Sequence, residues 1–162
     1  MIIVSDTTPL MTLLKCNQLI LLNKMYGTVL IPPAVYSELT ENSLYAEEAE
    51  IIKNADFLEV RKITNPERVQ FLLNSTGLDL GETEAIVLAE NTKADLLLMD
   101  EVMGRMIAKQ MGFTIAGAIG ILIAARTEGL LSSEEVKTIV DKLRSSGQHI
   151  GEPLLKKLLE TS

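Results

Sequence analysis

Five short and almost wholly apolar runs, each followed by a longer stretch with helical spacing, constrain this chain more than any other feature. The runs are Ile2-Ile3-Val4, Val29-Leu30-Ile31, Phe57-Leu58-Glu59-Val60, Leu96-Leu97-Leu98-Met99 and Phe113-Thr114-Ile115. A continuous apolar run such as Leu96–Met99 suits a central parallel strand covered on both faces. Alternation of such runs with amphipathic segments points to βα units around a mostly parallel sheet of about five strands.

The intervening segments carry helix punctuation. Pro9 and Pro33 suit first helical turns, and Thr7 or Thr8 is placed to cap the first helix. Gly27, Gly77 and Gly112 mark stops. Helices are expected from Pro9 through Leu14, from Leu19 to Met25, from Pro33 through Leu39 and from about Leu44 to Asn54. Further ones are expected from Pro66 through Leu73, from Glu82 through Ala89 and from Met103 to Met111. Three more complete the chain, at about Ala118–Glu128, Ser133–Ser145 and Glu152–Glu160, the second capped by Ser132 or Ser133.

With 162 residues and no repeat or linker, one domain spanning residues 1–162 is expected, with a helical extension over 131–162. Aromatics are only 4 % of the chain, so the core must be aliphatic. The apolar stretch around Ile115 to Ala125 is far shorter than the roughly 20 residues of a membrane span. The N-terminal run meets Asp6 with no basic lead, so no secretory leader and a cytoplasmic location are expected. Cys16 is the single cysteine and reads as packed, and the lone His149 reads as a surface or packing residue. The methionines Met99, Met103, Met106 and Met111 read as core or interface filler. A formal net charge of −7 argues against a nucleic-acid binder, since phosphate affinity comes largely from Lys and Arg, unless clustered carboxylates are neutralised by cations.

Asp6 follows the first apolar run and Asp100 follows the fourth. In open parallel sheets, sites form where strands end at their carboxyl side. Carboxylates placed there are costly to bury unless paired, hydrogen-bonded or bound to a cation. Two such acids on neighbouring strands make a candidate site for Mg²⁺ or Mn²⁺, which prefer oxygen ligands. Each acid alone reads equally as an N-cap or turn residue. Glu38 reads on its own as a solvated helix residue, and Glu82 as an acid in a first helical turn, where the macrodipole favours it. Glu84 lies two residues on and faces elsewhere. Arg105 and Lys109, four apart, share a helix face that is either a solvated charged face or a holder of RNA phosphates. No Gly-rich phosphate loop with Lys is present, which removes a P-loop nucleotidase.

The order of these acids resembles the PIN domain, the nuclease fold of VapC-type toxins. Val4-Ser5-Asp6-Thr7-Thr8-Pro9-Leu10 resembles its opening strand and turn, and Ile31-Pro32-Pro33-Ala34-Val35-Tyr36-Ser37-Glu38-Leu39 its second acidic motif. Gly81-Glu82-Thr83-Glu84-Ala85-Ile86 and Leu97-Leu98-Met99-Asp100-Glu101 resemble the third and fourth, and Gly112–Gly117 the fifth strand and its exit. The resemblance covers about residues 1–130. It implies a three-layer α/β/α fold with added C-terminal helices, and Asp6, Glu38, Glu82 and Asp100 as metal-site residues. Thr7 or Thr8 would take the hydroxyl position beside the first Asp. Many PIN nucleases carry Asp where this chain has Glu82, leaving Glu84 as an alternative third ligand, and many relatives carry a second Asp where it has Glu101.

The activity implied is Mg²⁺- or Mn²⁺-dependent endoribonucleolytic hydrolysis. A small antitoxin and a homodimer are the implied partners, with RNA as substrate and no membrane. Two rivals remain open from the sequence. One is a PIN-fold regulatory module that binds RNA or metal with weak or no catalysis. The other is a receiver-like phosphotransfer protein, which needs a Lys after a late strand that is not evident here.

Overall fold

A computed structural model describes residues 1–41, 46–148 and 150–161. In chain order the elements are β1 (Ile3–Ser5), α1 (Thr7–Lys15), α2 (Ile20–Tyr26), β2 (Val29–Ile31), α3 (Pro33–Thr40), α4 (Ala46–Asn54), β3 (Leu58–Val60) and α5 (Pro66–Thr76). They continue with α6 (Leu80–Thr92), β4 (Leu96–Leu98), α7 (Val102–Gln110), β5 (Ile115–Ala116), α8 (Ala118–Thr127), α9 (Ser133–Ser145) and α10 (Glu152–Glu160). The expected start of the fourth helix at Leu44, and His149, lie outside the described residues.

The five strands form one all-parallel sheet in the order β3-β2-β1-β4-β5. β2 and β4 are short but wholly apolar, because each successive side chain enters a different core, whereas the edge strand β3 carries Glu59 and is largely exposed. Ile3, Ile31, Leu96 and Leu98 pack on one face with α1, α2, α8, α9 and α10. Val4, Leu30, Leu97 and Met99 pack on the other with α5, α6 and α7. This is a three-layer α/β/α fold, as the sequence implied. The C-terminal helices are not an appendage. Val136, Ile139, Leu143, Leu155 and Leu158 are buried in the same cluster as Ile3.

Several local details differ from the sequence reading. The first helix begins at Thr7, with Asp6 rather than either threonine at the N-cap position, and Asp6 makes no side-chain cap bond. α6 begins at Leu80, capped by Asp79 in a reciprocal box. The Asp79 carboxylate accepts from the Glu82 N–H at 2.8 Å, and the Glu82 carboxylate accepts from the Asp79 N–H at 3.2 Å. The same box occurs at Ser132 and Glu135 on α9. Met99 is buried, but Met103 and Met106 are exposed on α7, so these two are not core. Cys16 is packed as expected, and burial pushes its thiol up to about 11, far from a reactive thiolate. Among the described residues no helix is long and apolar enough to cross a membrane.

Candidate metal centre

The sheet order fixes where chemistry can sit. From β1 the chain builds β2 and β3 to one side, then returns to lay β4 and β5 on the other. The crevice between the outgoing loops of β1 and β4 is therefore the switch point of the sheet, where open α/β folds bind ligands. Asp6 ends β1 and Asp100 lies two residues beyond β4. The two strands pair directly, with Ser5 opposite Leu98, and the Asp6 N–H donates to the Leu98 carbonyl at 2.9 Å. The two aspartates thus stand side by side.

Two helices bring glutamates to the same crevice. α3 leaves β2, the other neighbour of β1, and carries Glu38. α6 packs on α3 and contributes Glu82 and Asp79. The meeting point is Gly81. A Cβ there would fall 2.2 Å from Glu38 Oε1 and 3.7 Å from Asp6 Oδ1, so the missing side chain is the space in which these carboxylates gather. Gly117 does the same for Asp100, since a Cβ would fall 2.2 Å from Asp100 Oδ1. Asp6 is 3 % exposed and Glu82 is also buried, whereas Glu38 is open to solvent. The Thr7 hydroxyl faces the Glu38 carboxyl and favours its charged form. It does not form a full hydrogen bond there, and Thr7 Oγ1 is a buried polar atom without a partner among the described residues.

The acids disturb one another. Burial raises Asp6 from 3.8 to about 7, helped by the charges of Glu82, Asp79 and Glu38 and opposed by the Thr7 amide. Burial also raises Glu38, with Asp79 adding to it and Thr7 opposing. Glu82 is raised by burial, opposed by the Asp79 amide, with Asp79, Glu101 and Glu38 pushing further. Asp100 is raised by burial against two groups that favour its charge, the Ala118 N–H, which it accepts at 3.2 Å, and Arg105. Asp6, Glu38, Glu82 and Asp79 form one electrostatic group, and Asp100 is linked to it through Glu101, whose charge both Glu82 and Asp100 sense. Asp79 has no place in the reading of the sequence, although Asp79-x-x-Glu82 is itself a capping signature that could have exposed it.

The remaining candidates separate. Thr8 lies on the far side of the crevice from Thr7, in a cavity beside Asp100 and Glu101. Glu101 is exposed at the N-cap of α7, where Glu82 and Asp100 sense its charge. Arg105 and Lys109 do not form one outward patch. The Arg105 guanidinium donates to the Met99 carbonyl at 2.9 Å and stands beside Asp100, while Lys109 is exposed one turn further on.

Glu84 is occupied elsewhere. Its Oε1 accepts from the Ala34 N–H at 2.9 Å, serving an amide in the first turn of α3 that has no partner within the helix. It ties α6 to the helix that carries Glu38. Replacing Glu84 by Ala is expected to cost about 1 kcal/mol, and Glu84→Gln, which keeps the acceptor, should recover most of it in thermal denaturation. Equal destabilisation by both would mean that the charge rather than the hydrogen bond matters.

Oxygen donors, an orphaned hydroxyl and two glycine-made spaces suit a hard divalent cation. Among the described residues, the side chains as placed do not bring three carboxylates onto one ion position. The exposed Glu38 side chain has rotatable bonds with which to approach, whereas the Glu82 carboxylate is engaged by the Asp79 N–H. On that chemistry Asp6, Asp100, Glu38 and Glu82 fit such a cation.

No curated protein and no solved structure matches the chain. A family model described as a PIN domain matches residues 2–162, the C-terminal helices included. PIN domains have a nuclease-type fold and typically use divalent metal ions. Both the parallel sheet with acids at its switch point and the match over nearly the whole length lead to one conclusion: this chain belongs to the PIN-domain family.

Proposed function

We propose that the chain is a metal-dependent endoribonuclease that hydrolyses RNA phosphodiester bonds with Mg²⁺ or Mn²⁺. The observation that carries this reading is that buried Asp6, with Glu38 and Glu82 near enough for their charges to raise its pKa, follows β1 beside β4, the strand that Asp100 follows. Asp6 and Asp100 would hold the cation, with Glu38 and Glu82 as the further acids of its site. A bound divalent cation supplies Lewis-acid activation of water and offsets charge gathering on the phosphate. Glu38, accessible to solvent and with its pKa raised, accepts the proton of the attacking water. The water oxygen bonds to phosphorus as the bond to the leaving ribose oxygen breaks, and solvent protonates that oxygen. Arg105, held on the Met99 carbonyl, favours the charged form of Asp100 against the effect of burial.

The test is cleavage of short RNAs with Mn²⁺, suppressed by EDTA. Tight metal or RNA binding without cleavage would favour the regulatory-module reading, which the net charge of −7 supports. VapC-type resemblance further suggests the toxin of a type II toxin–antitoxin pair, acting as a cytoplasmic homodimer held in check by a small antitoxin. Growth arrest on expression, relieved by the product of a neighbouring gene, would support that role.

A pH dependence follows from Asp6. Its folded pKa, about 7, lies above its ordinary 3.8. The native state therefore holds this proton longer than the unfolded chain. The stability linked to it is present below about pH 4 and lost as pH rises through 7. Without metal, Tm should fall between pH 5 and pH 8. Metal binding requires the carboxylate form, so the Tm increase on adding Mn²⁺ should grow over the same interval, as should cleavage. A Mn²⁺ shift that is equal at pH 5 and pH 8 would contradict this.

A further inference from the structure

We propose, resting on the nuclease reading above, that the cavity between α1, the start of α7 and the segment leading into α10 is a nucleobase subsite. It would hold a base next to the scissile phosphate. The cavity, about 250 Å³, opens directly beside Asp100 and Glu101. Any group bound in it must therefore adjoin whatever the carboxylates engage.

The chemistry of its walls selects the ligand. Among the described residues no Lys or Arg lines it, so its walls offer a phosphate no fixed cationic side chain. Val102, Ile150 and Leu154 offer apolar surface for a flat face. Thr12 and Gln148 offer a hydroxyl and an amide for a polar edge. Flat apolar faces with a donor–acceptor edge describe an unstacked base of single-stranded RNA. Thr12 Oγ1 and Gln148 Oε1 are 3.5 Å apart, at the limit of a hydrogen bond, so a base edge displaces little by replacing that contact. The Gln148 amide nitrogen has no hydrogen-bond partner among the described residues.

Gln148 and Leu154 are each tied to the helices behind them. The Gln148 N–H donates to Ser146 Oγ at 3.2 Å, and Ser146 Oγ donates to the Leu143 carbonyl at 2.8 Å, which ties the segment to the end of α9. Leu155, next to Leu154, is anchored in the core. The C-terminal helices thereby contribute a specificity surface to a centre whose acids all come from residues 6–100.

The experiment uses short fluorescent RNAs that differ only in the base on either side of one phosphate. Cleavage with Mn²⁺ and binding by anisotropy with Ca²⁺ are both measured for the full chain and for Gln148→Ala and Leu154→Ala. The wild type is expected to favour one base at one position by about tenfold, and Gln148→Ala to flatten that preference while leaving the poorest substrate within about twofold. Leu154→Ala should weaken binding of all bases at that position. Absence of any cleavage would end the nuclease reading, with the anisotropy preference and its loss in Gln148→Ala still deciding the subsite. Equal handling of all bases by the wild type, or a preference untouched by both variants, overturns the subsite and leaves the cavity to a protein side chain.

Discussion

Asp6→Asn is expected to lower RNA cleavage by on the order of 10³-fold or more, while the protein stays folded and, without metal at pH 8, melts higher than the wild type. The two parts have one cause. Asp6 is almost fully enclosed and surrounded by Glu82, Asp79 and Glu38, so its negative charge is held at a cost that the Thr7 amide offsets only in part and a cation would offset further. Asn has nearly the same shape and no charge, which removes the cost together with the ligand. The Mn²⁺-induced rise in Tm should shrink in parallel. Cleavage assays on the purified variant, with circular dichroism and thermal melts with and without Mn²⁺, measure all three. A folded Asp6→Asn protein that cleaves at the wild-type rate would remove Asp6 from the mechanism.

Gly81→Ala should separate stability from activity in the same direction. Glycine inside a helix costs about 1 kcal/mol relative to alanine, so the substitution favours α6 as a helix. The added methyl would meet Glu38 Oε1 at 2.2 Å, and the carboxylate, the far end of a flexible side chain, must move away. Stability is then expected to stay level or rise slightly, while Mn²⁺ affinity falls by about 10–100-fold, the scale seen when a ligand's support is disturbed. Isothermal titration and thermal melts read the two effects separately. Unchanged affinity would mean that Glu38 does not hold the cation.

What the sequence revealed depended on how local the cause was. β4 was plain in Leu96–Met99 because a strand covered on both faces has no polar positions to blur it. Asp6 and Asp100 were legible for the same reason, as charges that interrupt such runs. Glu38 could be recognised only by resemblance, since a glutamate on a helix looks the same whether it faces water or a crevice. Glu84 and Arg105 show the limit more sharply. Helical spacing set Arg105 with Lys109, but its partner is the Met99 carbonyl, presented by a backbone that leaves the sheet. Spacing likewise said nothing of the bond from Ala34 to Glu84, which exists only because α3 and α6 pack together. The space at Gly81 was hidden in the same way, being defined by atoms from two other elements.

The adjacency of β1 and β4 has a consequence for how this protein is made. β1, which runs into Asp6, pairs with a strand that lies some ninety residues later in the sequence. Closing that long loop is slow compared with forming local helices. A chain that stops before residue 96 therefore lacks β4 and Asp100, half of the crevice, so the acids of residues 6–82 stand without their counterpart until the later strand is in place.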